Sequence, residues 1–493
     1  MKQSDLQRLI KIEEQINRIA KEELGLTYHD IEYDVVDDKK MLELMSYVIP
    51  TNFSHWSYGR DYDRLRTIHD EIQANLPLEM VINCRPARAF LSNVNTVGIN
   101  ALVIAHVVGH VHHFTTNKYF NAQRSDIVEY LARATERFTS YERKYGIEEV
   151  EPIIDAGMAL RFHSSPWDNE TDDDKRKRLF EQRKRENVVV HTEFSEFFEK
   201  DYNLQVNEDI DSYNSKLWQK MKNTIPVEPT EDILRFIIDH SNILDDWQKD
   251  ILEVNREVGQ YFYANIRNKL VAEGTATYIH QKIMKKLYEG RHITNEDYSQ
   301  YTYSNSLVKL ENQFQINPYY VGCGILEDIE ERWDRGCHGE AWEQCTSAVE
   351  RENWNTGDNV GMAKVLEVIK SYNDWYLLQD FLTPSVIDKL DMYLYEKVEL
   401  RGEVQLRRTH HTPQQIREII VGSYSHSPFP SIAIIDGRSN ILLKHNYFGM
   451  ELDEKYAHET MKHINRIWGN PVNLVTVVDD DEVLYKVKGQ VGK

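Results

Sequence analysis

The chain has 493 residues, of which 41% are hydrophobic and 11% aromatic, so it can build a large packed core and is not a disordered protein. Its 59 basic and 80 acidic side chains give a net charge of −21, which disfavours binding to a nucleic-acid backbone. The 4 cysteines form no CxxC pair and predict neither a disulfide framework nor a cysteine zinc site.

Residues 1–25 predict an amphipathic helix, because apolar residues at helical spacing are interrupted by charges. A secretory signal needs an unbroken apolar stretch, so none is expected here. The most apolar stretch, 97–111, contains Asn100, His106 and His110 and is predicted to be too short and too polar to span a bilayer. We therefore expect a cytoplasmic protein with no membrane span.

The hydrophobic pattern predicts a mostly helical chain as far as residue 400. The predicted helices lie at 1–25, 61–76, 101 onward, 123–147, 149–163, 231–255, 257–287 and 317–336, with several more at 340–400. No proline interrupts 231–287, so one continuous helix there stays open as the alternative. Asn100 is the expected N-cap of the third helix, and Tyr145-Gly146 separates the next two. An acidic run followed by a basic run within 164–230 predicts a variable, exposed connector.

The last part of the chain has a different pattern. Four β-rich runs at 431–436, 441–445, 472–478 and 482–487 alternate with helical stretches at 413–421 and 453–468. This alternation predicts a small α/β domain that begins near 401–412. The expected fold class is therefore mainly α, with a large helical body at 1–400 and a small C-terminal α/β domain at 401–493.

The most informative stretch for chemistry is HVVGHVHHF at 106–114. On a helix His106, His110 and His113 share one face, and imidazoles four residues apart can chelate one divalent metal ion. Metalloproteases with the HExxH motif use this spacing, but the position of their general base is Val107 here. Gly109 would let another backbone or a ligand approach closely. The alternative is a pair of hydrogen-bonded core histidines, with carboxylates rather than a metal as their partners.

A later helix carries Glu273 and His280, which are seven residues apart and share one face. Two histidines on one helix joined by a glutamate from a later helix form a known zinc arrangement. Glu273 is then the third ligand, and His280 a fourth ligand or a proton shuttle. The reverse assignment, with His280 as ligand and Glu273 as general base, stays open. The expected cofactor is a divalent metal ion, with zinc as the first candidate.

Glu257 is a further candidate for a catalytic role. On one straight helix it would point about 160° away from Glu273, so it reaches the site only if the helix breaks, for example near Gly259. The alternative is a structural ion pair.

A third cluster, FSHWSYGR at 53–60, mixes aromatic, hydroxyl and basic side chains in an expected loop. His55, Trp56, Tyr58 and Arg60 suit a surface that contacts a substrate. The alternative is a packed loop that Trp56 anchors.

Together these clusters resemble the SpoVR family (stage V sporulation protein R). The matching stretches, in the order typical of the family, are FSHWSYG at 53–59, HVVGH at 106–110 with Asn117 after it, DWQKDIL at 246–252, AEGTATYIH at 272–280, NPYYVG at 317–322 and DIEERW at 328–333. The resemblance covers most of the chain and is weakest across 164–230. It adds Asn117, Asn317 and Tyr319 as candidate substrate contacts.

The chain departs from the family pattern around the histidines. Residues 111–114 read VHHF where the family usually reads CDFF, so His112 replaces an acidic residue and His113 an aromatic one. Ala272 replaces the asparagine of the family's NEG stretch, and Thr275 replaces the tryptophan that usually follows the glycine of NEG. The family pattern does not make His113 a ligand, and only its position on the same helical face as His106 and His110 suggests this role. An altered pocket or metal preference is expected.

The resemblance implies a cytoplasmic protein linked to spore cortex formation, with a serine-kinase-like AAA ATPase and a von Willebrand factor A-like protein as partners. The leading hypothesis is a metal-dependent hydrolase or amide-processing enzyme that acts on cell-wall (peptidoglycan) peptides or their precursors. The second hypothesis is a non-enzymatic adaptor or regulator of that ATPase. The sequence contains no P-loop and no dinucleotide fingerprint, so nucleotide use is not expected.

Overall fold

The computed structural model of the protein describes residues 1–72, 79–164, 170–195, 212, 214–222, 224–310, 315–400, 403–425 and 428–489. Part of the connector predicted at 164–230, the last residues of the helix predicted at 61–76, and residues 401–402 at the predicted domain boundary lie outside this range.

The helices, in chain order, are α1 (Gln3–Arg18), α2 (Asp38–Tyr47), α3 (Trp56–Ile72), α4 (Val97–Thr116), α5 (Ile127–Tyr145), α6 (Ile147–Leu160), α7 (Asp172–Ser195), α8 (Ile233–His240), α9 (Asp246–Arg267), α10 (Lys269–Glu289), α11 (Asn295–Val308), α12 (Pro318–Asp334), α13 (Gly339–Gln344), α14 (Ala348–Glu352), α15 (Gly361–Ser371), α16 (Asp374–Phe381), α17 (Pro384–Lys389), α18 (Pro413–Tyr424) and α19 (Glu454–Trp468). The strands are β1 (Ile31–Val36), β2 (Glu79–Ile82), β3 (Ala87–Ser92), β4 (Tyr395–Leu400), β5 (Glu403–Arg408), β6 (Ile432–Asp436), β7 (Ile441–His445), β8 (Val472–Val478) and β9 (Asp481–Val487).

The prediction of a mainly helical chain that ends in a small α/β part is confirmed. The four predicted C-terminal strands are β6 to β9, which form one sheet in the order β6-β7-β8-β9. The β7–β8 pair is parallel and α19 connects it, whereas the two outer pairs are antiparallel. The break predicted at Gly146 is also present, where a φ of 90° separates α5 from α6.

Three helix predictions are wrong. The helix predicted at 231–255 is interrupted between α8, which ends at His240, and α9, which begins at Asp246. The N-cap of α4 is Thr96, whose hydroxyl accepts a hydrogen bond from the Ile99 amide at 3.3 Å, and Asn100 lies inside the helix. The predicted division at residue 256 is absent, and α9 runs through Gly259 to end at Arg267. The chain breaks instead at Asn268, whose side-chain amide donates to the Ala264 carbonyl at 2.7 Å.

Two small sheets were not predicted. One has the order β1-β3-β2, with β1 and β3 parallel and β2 antiparallel to β3. The other is the β4–β5 hairpin. Their strands are only four to six residues long, and β1 buries none of its side chains completely. The alternating pattern that reveals a strand is therefore weak.

The chain forms two compact units, and the first joins Met1–Arg137 to Ala264–Ser425. Helix α4 lies in its core and packs against α1, α10 and α11, while α10 also packs against α12. Small residues bring these helices to backbone contact. A Cβ atom on Gly109 would lie 2.6 Å from Ala276 Cα, and one on Gly274 would lie 2.5 Å from the carbonyl carbon of Gly322. The close approach expected at Gly109 is therefore confirmed.

Helix α4 is long and apolar enough to cross a membrane by length and composition, but 89% of its most apolar stretch is buried inside the protein. Burial on almost every face is typical of a core helix. The four histidines of α4 lie in this buried helix and are themselves buried.

The second unit joins Phe138–Tyr263 to His426–Lys493. Helix α19 packs against α6 and against the sheet formed by β6 to β9. The Ser241 hydroxyl donates to the Ile467 carbonyl at 2.9 Å, and the rings of Phe236 and Trp468 are 5.7 Å apart. The C-terminal sheet therefore shares a core with helices from the middle of the chain.

Candidate metal centre

Four side chains from three elements of the first unit converge: Glu79 at the start of β2, His106 and His110 on α4, and Glu273 on α10. One ligand atom from each lies within 4.8 Å of the other three. The His106 Nε2 atom is 3.1 Å from Glu79 Oε1 and 3.5 Å from Glu273 Oε2. The corresponding distances from His110 Nε2 are 3.6 and 3.4 Å.

The secondary structure explains why these atoms meet. One turn of α4 separates the two histidines, so their rings lie side by side with centroids 4.7 Å apart. The contact of Gly109 with Ala276 brings the first turns of α10, and with them Glu273, against the same face of α4. Glu79 arrives from the sheet, because β2 pairs with β3 and places Glu79 opposite Leu91, shortly before α4 begins.

Three of the four distances, 3.4–3.6 Å, fit a shared metal ion better than hydrogen bonds, whereas the 3.1 Å between His106 Nε2 and Glu79 Oε1 is also within hydrogen-bond length. Two ligands that are each 2.0–2.2 Å from one tetrahedral ion lie about 3.3–3.6 Å apart. His106 Nε2 and Glu273 Oε2 are both buried and have no hydrogen-bond partner within the described part of the chain. Buried polar atoms without partners are costly, and a cation between them would satisfy both. The donor set of two imidazoles and two carboxylates suits a divalent transition metal.

The charges of the four groups stabilise one another. Burial alone would raise the pKa of Glu79, but the neighbouring His106 and His110 lower it to about 2. The same two histidines hold the pKa of Glu273 well below its usual range against the effect of burial. Burial would lower the pKa of His110, yet Glu273 and Glu79 raise it to about 10, and the pKa of His106 is raised for the same reason.

His280 lies behind His106 and outside the four-residue cluster. The two Nδ1 atoms are 2.8 Å apart, and His280 Nε2 is 2.9 Å from Asn305 Oδ1. Burial and the neighbouring His106 lower the pKa of His280 to about 3, so its imidazole is neutral. Both of its ring nitrogens are therefore occupied by protein partners. His280 shares one face of α10 with Glu273, as predicted, but its ring contacts His106 rather than the other ligand atoms.

Tyr319, in the first turn of α12, borders the cluster. Its ring stacks on that of His106 with centroids 6.0 Å apart. Burial, the carboxylates of Glu273 and Glu79, and a hydrogen bond to Glu273 raise the pKa of Tyr319 far above its ordinary value. Its hydroxyl therefore stays protonated and can donate a hydrogen bond beside the four ligand atoms.

The structure does not bring His113 or Glu257 into the cluster. His113 is completely buried against Phe120, with ring centroids 5.0 Å apart and an interplanar angle of 70°. Neither of its ring nitrogens has a hydrogen-bond partner in the described structure. Burial, together with His110 and His112, lowers its pKa to about 3. Glu257 belongs to α9 in the second unit, where its charge acts on Glu253 and Arg256.

The cluster predicted as a loop at 53–60 is largely the start of α3, which begins at Trp56. Tyr58 is buried, and its hydroxyl accepts a hydrogen bond from the Asn52 amide at 2.8 Å. Trp56 is 54% exposed, and the Arg60 guanidinium lies 5.1 Å from its ring. The His55 imidazole is 2.8 Å from the Ser57 hydroxyl. A substrate-binding role for His55, Trp56, Tyr58 and Arg60 stays a prediction.

Asn117 and Asn317 use their side chains to fix the backbone. The Asn117 amide donates to the carbonyls of Ile369 and Tyr372 at 2.7 and 2.8 Å. Asn317 is the N-cap of α12, and its Oδ1 accepts from the Tyr319 amide at 3.0 Å. Asn317 therefore fixes the turn that carries Tyr319.

Sequence reasoning missed Glu79 and Asn305. Glu79 begins a strand of four residues and has no second polar residue at a metal-binding spacing. Asn305 lies in the largely polar helix α11, where one asparagine does not stand out. The structure alone brings these two residues to the histidines.

Comparison with known proteins identifies the family. Residues 3–428 match the family model described as SpoVR like protein. The chain belongs to the SpoVR family. Residues 432–479 match a second model, the SpoVR-like C-terminal domain, so family models cover nearly the whole chain of this SpoVR protein. The uncharacterized protein YcgB of Escherichia coli (strain K12) is 26% identical to it over 504 residues, which cover 95% of this chain and 92% of YcgB. No solved structure matches.

Proposed function

We propose that this SpoVR protein binds one divalent metal ion, zinc as the first candidate, and hydrolyses an amide bond. The observation that carries the proposal is the convergence of four ligand atoms from Glu79, His106, His110 and Glu273 within 4.8 Å. Two of these atoms are buried without a hydrogen-bond partner in the part of the chain that is described. A cation shared by the four groups would satisfy both atoms.

When bound, the metal would polarise a carbonyl group and lower the pKa of a water molecule. Glu273 Oε2 is nearly equidistant from the two histidines, as expected if the three groups form the His₂Glu ligand set of zinc hydrolases. Glu79 is then available as the general base that Val107 does not provide. The protonated hydroxyl of Tyr319 would donate a hydrogen bond to the carbonyl oxygen as negative charge develops there.

The side of the cluster formed by the carboxylates is the more accessible one. The side chains of Glu79 and Glu273 are 20% and 18% exposed, whereas those of His106 and His110 are 6% and 7% exposed. A substrate would therefore approach past the carboxylates. We assign it to cell-wall peptides or their precursors in the cytoplasm, because the family is named for sporulation.

Elemental analysis of the pure protein tests metal binding. We expect about one metal ion per chain, lost in His106→Ala and Glu273→Ala. His112→Gln is the matched control, because His112 is a buried histidine of the same helix whose Nδ1 donates to the Thr27 carbonyl at 3.0 Å. The control should keep its metal. Wild-type protein that binds no zinc, manganese, iron or cobalt after reconstitution would refute the proposal.

Glutamine substitutions separate the roles of the two carboxylates. If Glu79 is the base, Glu79→Gln keeps the metal but loses at least about 100-fold in the rate of peptide hydrolysis. Glu273→Gln should lose metal affinity as well. The opposite pattern would assign the base to Glu273 and the ligand to Glu79.

A second candidate function is an adaptor or regulator that works with a serine-kinase-like AAA ATPase and a von Willebrand factor A-like protein. The observation that favours it is the mutual stabilisation of charge, since two imidazolium and two carboxylate groups can neutralise one another without a metal. The test is co-purification of the two partners with wild-type protein and with the His106→Ala and Glu273→Ala variants. Equal recovery from a chain that binds no metal would support the adaptor.

A further inference from the structure

A chain of side-chain hydrogen bonds leads from the half-buried Asn305 of α11 to the Nδ1 atom of His106. Asn305 Oδ1 is 2.9 Å from His280 Nε2, and His280 Nδ1 is 2.8 Å from His106 Nδ1. Helix α11 provides the asparagine, α10 the second histidine and α4 the first. His280 and His106 are both buried, so water cannot readily replace these contacts.

The partners determine where the protons lie. An amide oxygen only accepts hydrogen bonds, so His280 Nε2 carries a proton and donates it to Asn305. A neutral His280 then has a bare Nδ1, which accepts a hydrogen bond. His106 Nδ1 must therefore carry the proton between the two rings. In a neutral His106 this leaves Nε2 bare, and Nε2 is the atom that faces Glu79 and Glu273.

We propose that His280 and Asn305 are positioning residues that hold His106 as the Nδ1–H tautomer, with its Nε2 lone pair directed at the metal. This inference rests on the proposed metal site. It gives His280 a role different from that of a fourth ligand, because both of its nitrogens already have partners. A histidine ligand commonly donates its other ring N–H to a protein acceptor, and loss of that acceptor typically lowers metal affinity about 10- to 100-fold.

The orientation of Asn305 fixes the direction of these hydrogen bonds. Its amide oxygen cannot donate, so a neutral His280 leaves one proton arrangement along the chain. His280 and Asn305 therefore select a single direction for the hydrogen bond to His106 Nδ1 and leave His106 Nε2 available to a cation.

Two pairs of variants test the proposal in the full-length protein. His280→Leu removes the acceptor for His106, whereas His280→Asn keeps an acceptor near the Nδ1 position. Asn305→Leu removes the acceptor for His280, whereas Asn305→Asp keeps one. Thr277→Val is the matched control, because Thr277 is buried on the same helix and its hydroxyl has no hydrogen-bond partner within the described residues. Circular dichroism establishes that each variant is folded.

The readouts are the affinity for Zn²⁺, by competition with a chromophoric chelator, and the visible spectrum of the Co²⁺ form, which reports the ligand geometry. We expect the two leucine variants to bind Zn²⁺ about 10- to 100-fold more weakly, with an altered Co²⁺ spectrum. The asparagine, aspartate and valine variants should stay within about threefold of wild type.

The two proposals fail in different ways. If wild-type protein binds no metal, the metal site itself is wrong. If wild-type protein binds Zn²⁺ and the folded leucine variants bind it equally well with an unchanged Co²⁺ spectrum, the metal site stands and the positioning role is overturned. Should His280→Leu not fold, the comparison of Asn305→Leu with Asn305→Asp decides alone, because Asn305 is only half-buried.

Discussion

His113 is a buried histidine of α4 whose two ring nitrogens have no hydrogen-bond partner among the described residues. It packs against the ring of Phe120, in a small apolar cluster that also contains Phe114 and Ala264. The sequence resemblance places an aromatic residue at this position in the family. An imidazole that is buried in apolar surroundings loses its hydrogen bonds to water without compensation, which costs about 1–3 kcal/mol.

We expect His113→Phe to increase the free energy of unfolding by about 1 kcal/mol and to leave the metal content unchanged. The folded pKa of His113 is about 3 against an ordinary 6.5, so the unfolded chain binds more protons between these values. Wild-type stability should therefore fall as the pH decreases from 6.5 towards 3, and the phenylalanine variant should lose part of this dependence. Urea unfolding at several pH values measures both effects. Loss of metal from His113→Phe would restore His113 as a ligand.

Gly109 controls how closely α4 and α10 approach. A Cβ atom would lie 2.6 Å from Ala276 Cα, and this backbone can give way only if the helices separate. We expect Gly109→Ala to lower the free energy of unfolding by about 1–3 kcal/mol and to weaken metal binding, because Glu273 moves with α10. Gly422→Ala in α18 is the control, since no atom of the described residues lies within 4 Å of its added Cβ. The control should gain about 0.5–1 kcal/mol in urea unfolding. Equal effects of both substitutions would contradict the contact.

At the scale of residues, the helical phase predicted part of the cluster and missed the rest. His106, His110 and Glu273 were predicted because spacings of four and seven residues report a shared helical face. The same spacings also suggested His113 and His280 as ligands. His113 instead packs against Phe120, and His280 contacts His106 and Asn305. Phase says which side of a helix a residue occupies but not which neighbour lies there. Glu79 comes from another element, and no local pattern connects a strand residue to a distant helix.

At the scale of elements, a neighbouring helix completes the N-terminus of α10. Asn268 precedes α10 without a side-chain capping hydrogen bond. Asp374, at the start of α16, provides one instead, since its Oδ1 accepts from the Val271 amide at 2.9 Å. Burial raises the pKa of Asp374 to about 7, although the amides of the first turn of α10 act in the opposite direction. The helix that carries Glu273 is therefore anchored by a buried carboxyl group.

This anchor predicts a dependence of stability on pH. The folded pKa of Asp374 is raised above its ordinary 3.8, so the folded chain binds more protons between pH 3.8 and 7. Its contribution to stability is present below pH 3.8 and is lost as the pH rises through 7, by at most about 1.4 kcal/mol per pKa unit. Asp374→Asn keeps an acceptor without the charge and should be the more stable form at pH 8. Urea unfolding between pH 4 and 8 measures the difference, and parallel curves would show that Asp374 does not titrate in this range.

Helices were predicted more reliably than strands for a physical reason. The long periodic helices α5, α6 and α12 and the C-terminal strands have hydrophobic patterns that extend over most of their length. Strand β2 has four residues and β1 has six, of which three are half-buried and three exposed, so neither has a long pattern. The break at Asn268 depends on a side-chain hydrogen bond to Ala264, and propensity alone does not distinguish this position from residue 256.

At the scale of the whole molecule, the two compact units do not follow the order of the chain. The segment Phe138–Tyr263 groups with His426–Lys493, and its flanks on both sides form the other unit. The sequence predicts a linear division at residue 400, because the secondary-structure pattern changes there. The hydrophobic pattern of a segment indicates whether it forms a helix or a strand, whereas a compact unit depends on contacts between segments that are distant in sequence. The β-bridge between Thr230 and Ile434 is one such contact.

A chain that ends at residue 425 distinguishes the two divisions. It keeps the candidate metal centre, His280 and Asn305, which all belong to the first unit, so we expect the same metal content as we expect for the full-length protein, one ion per chain. It lacks α19 and the sheet formed by β6 to β9, so Phe236 loses its ring contact with Trp468 and Ser241 loses its hydrogen bond to the Ile467 carbonyl. Helices between 138 and 263 should then be cleaved by protease much faster than in the full-length chain.

A substitution in the full-length chain gives an independent test of the same shared core. A Cβ atom on Gly437 would lie 2.2 Å from the ring of Phe236, so Gly437→Val should disturb the contact without removing any residue. We expect faster cleavage within 138–263 at unchanged metal content, with Gly422→Ala as the control. If both the shortened chain and Gly437→Val stay protected there, the helices from the middle of the chain do not depend on the C-terminal sheet, and the linear division is the better description.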